Sequence, residues 1–152
     1  MSVQGISLDS AHILSITIKT FDGSKSQNIY PQVSEIDIFE DIEHPMVRAE
    51  IKVFDSINLL RIFPLRGEEL VEVQFRSRQT PTITTYKFIV YDISNVQPVS
   101  VNSATYYVLK CVSFEYLSNV YRVSRTYKDN AHNIINSILK NDVNTTKPFS
   151  FT

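Results

Sequence analysis

Segments of alternating apolar and polar residues dominate the chain, and this pattern predicts a protein built mainly from β-strands. The clearest segment is 46–54 (MVRAEIKVF), in which apolar residues share one face and Arg48, Glu50 and Lys52 share the other. Similar patterns occupy residues 12–19, 33–42, 71–76, 82–94 and 104–114. One apolar face and one charged face are typical of an antiparallel sheet that is solvated on one side.

An unusually apolar connector links two of these strands within residues 54–75, FDSINLLRIFPLRGEELVEVQF. Asp55 and Ser56 can cap a short helical turn, Pro64 can end it, and Gly67 can supply a positive φ before the next strand. Surface loops are normally polar, so either this segment closes one end of the sheet as a lid or a neighbouring subunit covers it. The side chains predicted to contact a partner in the second case are Ile57, Leu59, Leu60, Ile62, Phe63 and Pro64.

The remaining pattern predicts how the strands are arranged. The alternating charges of residues 71–76 favour pairing beside the strand at 46–54. The polar segment 95–103 (NVQPVSVNS) predicts a longish hairpin loop between two long strands, and residues 21–28 (FDGSKSQN) predict a turn. A closed antiparallel barrel or a two-layer sandwich would hide the edges of such strands.

The pattern changes to helical spacing near the end of the sequence. Asp129 is a candidate N-cap for a helix over about residues 130–140, and Asn141 can end that helix. The predicted apolar stripe consists of Ile134, Ile135, Ile138 and Leu139. Residues 142–152 resemble a linker that leads into a further apolar segment. We therefore expect a β-barrel domain over 1–118, and a linker, a helix and the start of a following segment over 119–152.

Composition excludes several classes of protein. The chain has 152 residues, which suits one domain, and its formal net charge of -1 provides no basic footprint for binding nucleic acid. The single cysteine, Cys111, excludes an intrachain disulfide and favours synthesis in a reducing cytoplasm. We find no signal peptide and no run of about 20 apolar residues, so we expect no membrane anchor.

No pattern of catalytic or metal-binding residues is evident. The three histidines are far apart, and the acidic residues of 35–44 are best interpreted as the solvated face of a strand and its turn. Cys111 lies mid-strand without a nearby histidine, and three glycines are too few for a phosphate-binding loop. We therefore predict no catalytic residue, no metal, no cofactor and no enzymatic activity. Strand tyrosines leave open a module that binds nucleic acid or carbohydrate by stacking.

The order of elements resembles a known family. A strand, the segment VFDSINLLRIFPLRGEELVEVQF, a long hairpin and then SRTYKDNAHNIINSILKN together resemble the N-terminal part of baseplate hub proteins of contractile-tailed, T-even-like bacteriophages. The resemblance implies an antiparallel barrel of the tail-tube type with one short connector helix and one C-terminal helix. Such hub proteins are longer, with a second barrel and further domains, so we expect either an N-terminal fragment or a shortened relative.

The resemblance also implies a role in assembly. Hub subunits form a ring, expected here to be a trimer, that joins the tail tube protein to the central spike protein, contacts other baseplate proteins and lines the genome channel. DNA would then be a partner only by passage, and the protein would reside in the virion tail baseplate after synthesis in the host cytoplasm. The alternatives are a tail-tube subunit proper and a non-catalytic β-module that binds nucleic acid or carbohydrate.

Overall fold

The structure, a computed structural model, describes residues 11–41, 43, 46–63, 65–77, 82–99, 104–120 and 122–145. The chain divides into two compact units, Met1–Ser113 and Phe114–Thr152. The domain boundary expected after residue 118 stays a prediction.

The first unit contains one antiparallel sheet of seven strands, which confirms the predicted mainly β fold. A short helix, α1, lies between the fourth and fifth strands, as the predicted connector helix requires. The elements are β1 (Ala11–Lys19), β2 (Ser26–Asn28), β3 (Val33–Phe39), β4 (Arg48–Asp55), α1 (Leu59–Ile62), β5 (Leu70–Ser77), β6 (Ile83–Val99) and β7 (Ala104–Ser113).

The sheet is curled into a half-barrel because its two edge strands follow each other in the chain. The strand order is β2-β1-β5-β6-β7-β4-β3, so β2 and β3 lie at opposite ends of the sheet. Ile29 and a 3-10 turn at Tyr30–Gln32 are all that join them, and so short a link keeps the end of β2 close to the start of β3. Ile29 is buried, and its amide donates a 2.8 Å hydrogen bond to the Ile16 carbonyl in β1.

Alternating residues of the strands fill the inside of the curl. Cross-strand pairs such as Ile51 with Leu109, and Ile18 with Val71, bring their apolar side chains together. Burial of each such side chain stabilises the fold by about 1.5–3 kcal/mol. The fully buried residues of the strands include Ile16, Ile18, Ile51, Val53, Val71, Phe88, Val90, Tyr107, Leu109 and Cys111.

The opposite face of the sheet carries ion pairs between neighbouring strands. Lys52 on β4 reaches Glu35 and Asp37 on β3, with Nζ to carboxylate oxygen distances of 2.8 and 3.5 Å. Lys110 on β7 and Asp92 on β6 form a similar pair at 3.3 Å. Exposed pairs of this kind add little to stability, but they keep this face compatible with water.

A bulge in β1 changes which residues face the core. Simple alternation places Leu14, Ile16 and Ile18 on one face, but the register with β5 shifts between Ile13 and Ser15. The extra residue reverses the alternation, so Ile13 packs against the core cluster with Ile16 and Ile18.

Two further expectations about the sheet are wrong. Strand β5 pairs with β1 and β6 rather than beside β4, because alternating charges suit any solvated neighbour and do not select one. Strand β6 continues to Val99, through much of the segment predicted to be a loop. Register shifts after Val90 and after Ser94, and a positive φ of 56° at Asn95, accommodate the polar residues while pairing with β7 continues.

The predicted turn at 21–28 also contains an element that the sequence pattern missed. Residues 26–28 form β2 beside the end of β1. The turn itself is held by Asp22, whose carboxylate accepts hydrogen bonds from the Thr20 hydroxyl and the Ser24 amide. The bond from Thr20 is the main reason that the pKa of Asp22 falls to about 2.

The second unit confirms the predicted helix and moves its cap by one residue. Helix α2 spans Ala131–Ser137 and continues as a π-helical turn over Ile138–Asp142. The N-cap is Asn130 rather than Asp129, since the Asn130 side chain accepts a 2.9 Å bond from the Asn133 amide. Among the described residues, we find no helix with the length and hydrophobicity that a membrane span requires.

Candidate subunit interface

The connector between β4 and β5 begins at a buried carboxylate. Asp55, the last residue of β4, is 1% exposed and accepts hydrogen bonds from three backbone amides. These amides belong to Ile57, Leu59 and Leu60, and the shortest bond, to Leu59, is 2.7 Å. Asn58 adopts a left-handed conformation with a φ of 57°, which turns the chain into α1. The N-cap position of α1 belongs to Asn58, which makes no side-chain cap bond, so the predicted cap at Asp55 and Ser56 is displaced. Asp55 nevertheless satisfies the first amides of the helical turn.

The apolar residues of the connector divide between two environments. Leu59 and Phe63 are buried in the core of the first unit, and Leu60 is partly buried against that core. Ile57 and Ile62, in contrast, are 39% and 64% exposed. The lid interpretation therefore applies to the inward-facing residues, and a partner contact stays a prediction for the two exposed isoleucines. Pro64 lies outside the described residues.

A second buried carboxylate holds the end of the connector. Glu69 is 4% exposed, and its two carboxylate oxygens accept bonds from the amides of Arg66, Gly67 and Glu68 at 2.6, 2.9 and 3.2 Å. Gly67 has a φ of 91°, which confirms the predicted positive φ. Residues with a side chain disfavour this conformation. The Glu69 carbonyl also accepts a bond from the Val90 amide in β6. Both ends of the lid are therefore anchored by backbone bonds to buried acids.

A surface cavity of about 400 Å³ lies beside the end of the connector. Phe21, from the turn after β1, is 59% exposed and lines this cavity together with the inward-facing Phe63. Charged groups of both signs also line it, namely Lys25 and Arg66 together with Asp22, Glu68 and Glu69. Mixed charges around exposed apolar surface resemble the rim of a protein contact more than a site for one small charged ligand.

Metal-binding groups and the one cysteine thiol can be assessed within the described residues. No group of three or more His, Cys, Asp or Glu side chains there could hold a metal ion. Burial raises the pKa of the Cys111 thiol to about 12, so this sulfur stays protonated and weakly nucleophilic. Its environment matches the predicted role of a small core residue.

The strand tyrosines do not share one exposed surface. Tyr86 stacks between Phe75 and Phe88, with ring centroids 5.5 and 5.8 Å apart, and its hydroxyl donates to Glu40. Burial, followed by this bond, raises the pKa of Tyr86 to about 12. Tyr107 is fully buried, while Tyr91 is 53% exposed. This distribution weakens the case for base or sugar stacking along the sheet.

Sequence reasoning missed a polar group next to the lid. The Tyr107 hydroxyl is buried without a hydrogen-bond partner among the described residues. Burial, and to a smaller extent the charge of Asp55, raises the pKa of this hydroxyl. The strand pattern predicts that Tyr107 packs in the sheet, but which polar atoms surround a buried ring depends on pairing between distant segments.

The sequence matches no protein-family model and none of the curated proteins searched.

Proposed function

We propose that the chain is a structural subunit of a phage tail baseplate hub and assembles into a ring that joins the tail tube to the central spike. The sequence resemblance motivates this proposal. The observation that supports it best is the outward face of the connector, where Ile62 is 64% exposed on a segment that is otherwise anchored firmly in the fold. A rigid segment with an exposed apolar side chain is suited to contact a partner.

The charge distribution is consistent with DNA as a passing partner rather than a bound one. The sheet's outer lysines at positions 19, 52 and 110 are engaged by carboxylates on neighbouring strands. A net charge of -1 adds no attraction for phosphates. Assembly in this proposal therefore depends on contacts between proteins and not on DNA.

Light scattering after size-exclusion chromatography, with electron microscopy of the particles, tests this function. We expect closed rings with three copies, and we expect Ile62→Asp to weaken their assembly while the chain stays folded. The matched control is Ile83→Asp, because Ile83 is also an exposed isoleucine, at 54%. It pairs with Arg76, at the end of β5 that lies away from the connector.

Three results would contradict the hub proposal. A strictly monomeric protein at all concentrations would refute a ring, and equal effects of the two substitutions would refute a role for the connector. Stacked rings that extend into tubes would instead favour a tail-tube subunit. Titration with single-stranded DNA and with oligosaccharides tests the binding-module alternative on the same sample.

A further inference from the structure

One edge of the sheet in the first unit has no strand beside it among the described residues. Strand β3 pairs with β4 on one side and is the last strand of the sheet on the other. The side chains of Glu35 and Asp37 on this strand are 54% and 39% exposed, and both share the single ammonium group of Lys52. The edge therefore combines available backbone groups with a surplus of negative charge, which can receive an extended basic segment.

The second unit contains an extended segment of the opposite charge. Residues 122–128 (RVSRTYK), here called the basic segment, carry three cations and no acid. They adopt no helix or strand, and their backbone groups form no backbone hydrogen bond with another described residue. Val123, Thr126 and Tyr127 are residue types that favour β-strands. The basic segment therefore has the charge, the residue types and, among the described residues, the unbonded backbone groups that an added edge strand requires.

Asp142 fixes one side of the basic segment. Its carboxylate accepts a 2.9 Å bond from the Tyr127 hydroxyl and lies 3.1 Å from Nη1 of Arg125. Arg125 and Tyr127 are two residues apart, so in an extended chain they project to the same side, and Arg122 and Lys128 project to the other. Because these contacts already order the segment, pairing with a sheet would cost less conformational entropy.

We propose that the basic segment of one copy adds as an edge strand to β3 of a second copy. With Ser124 and Thr126 opposite the two acids, Arg122 and Lys128 each lie one pair farther along the same face. From there a long cationic side chain reaches Glu35 or Asp37 diagonally, and such contacts between opposite charges are favourable. This contact uses different surfaces on the two copies, and repetition of such a contact produces a ring when the rotation closes. The inference rests on the proposed ring function, for which it names a contact between subunits.

Disulfide trapping between full-length variants tests the contact directly. A chain with Ser34→Cys or Asp37→Cys is mixed with a chain carrying Ser124→Cys or Thr126→Cys, so that any cross-link between the two new thiols joins different molecules. The four combinations cover neighbouring registers, since a disulfide requires Cα atoms about 4.4–6.8 Å apart. We expect a covalent heterodimer from at least one combination, with the linked peptides identified by mass spectrometry.

The matched control pairs Ser124→Cys with Lys87→Cys, an exposed position on β6 away from the open edge. We expect no cross-link from this pair. The native Cys111 is buried and stays reduced while the chain is folded. Absence of a cross-link in all four combinations, or equal cross-linking in the control, overturns the inference.

Charge reversal provides a second test. Arg122→Glu with Lys128→Glu should raise the concentration required for self-association about tenfold, whereas the single reversal Lys140→Glu, outside the basic segment, should leave it unchanged. Adding Glu35→Lys and Asp37→Lys to the first variant should restore association, because the charges are again complementary. An equal effect of Lys140→Glu, or no restoration in the combined variant, would contradict the pairing.

Light scattering on the cross-linking samples separates this inference from the proposed function. Rings that form without any cross-link at β3 would overturn the strand pairing and leave the hub proposal standing. Cross-linked copies that never close into a ring would support the strand pairing and refute the ring function.

Discussion

The two faces of the connector have similar composition but opposite environments. Leu59 and Phe63 are 1% and 4% exposed in the core, whereas Ile57 and Ile62, from the same short segment, are 39% and 64% exposed. Only part of this apolar connector is therefore a lid. The inward face contributes to the stability of the fold, and the outward face stays exposed.

The difference between the faces depends on how the connector is anchored. The carboxylates of Asp55 and Glu69 each accept hydrogen bonds from three backbone amides, so the orientation of the segment is fixed at both ends. A buried carboxylate with its hydrogen bonds satisfied can hold a turn that apolar contacts alone would leave free to rotate.

The largest effect is expected from adjacent substitutions on opposite faces. Phe63→Asp should lower the free energy of unfolding by more than about 4 kcal/mol, because a core ring is lost and a charge is placed in its position. Ile62→Asp should change it by no more than about 0.5 kcal/mol, since the side chain is mostly in water. Urea denaturation followed by circular dichroism measures both. Equal losses would show that the two faces do not differ.

The second prediction concerns the anchors. Glu69→Gln should lower the free energy of unfolding by about 3 kcal/mol, because an amide side chain has one acceptor oxygen for the three backbone donors that the carboxylate now satisfies. Glu68→Gln, one residue earlier and exposed, is the matched control and should have little effect. If both substitutions were equally mild in urea denaturation, the carboxylate would not anchor the lid.

The third prediction uses pH to probe the core that the lid covers. The pKa of Cys111 rises from its ordinary value of 9.0 to about 12 in the folded chain. Stability from this group is therefore complete below pH 9 and is lost as the pH rises toward 12, because only the unfolded thiol ionises in that window. Between pH 9 and 10.5 we expect a loss of about 2 kcal/mol from this group.

Comparison with Cys111→Ala isolates that contribution. The variant should start from a lower free energy of unfolding but lose less of it between pH 9 and 10.5, when both proteins are measured in urea. The pKa of Tyr107 is also raised, and Tyr107 is present in both proteins, so the stability of the variant should still depend on pH in part. If the free energy of unfolding fell equally with pH in the two proteins, the thiol would not be protected from ionisation in the folded chain.

The smallest effect is expected at the hydroxyl without a partner. Tyr107→Phe removes a buried polar atom and keeps the ring, so the free energy of unfolding should stay the same or rise by up to about 1 kcal/mol. Thermal and urea unfolding measure this change. A clear loss of stability would show that the hydroxyl makes a bond, for example to a buried water, that supports the Asp55 end of the lid.

The sequence alone determined the class of fold and much of the core. Alternation is a local property of the chain, so Ala49, Ile51 and Val53 identify the buried face of β4 before any partner strand is known. The positive φ at Gly67 and the C-terminal helix also follow from neighbouring residues, and the structure agrees with these expectations to within one residue at the cap of that helix.

Tertiary structure decided the features that depend on distant pairing. The bulge at Leu14, the neighbours of β5 and the extension of β6 to Val99 depend on which strand lies alongside and in which register. The division of the connector has the same origin, because Phe63 and Ile62 are equally apolar in the sequence. Only the direction in which the anchored turn enters the half-barrel places one in the core and leaves the other exposed.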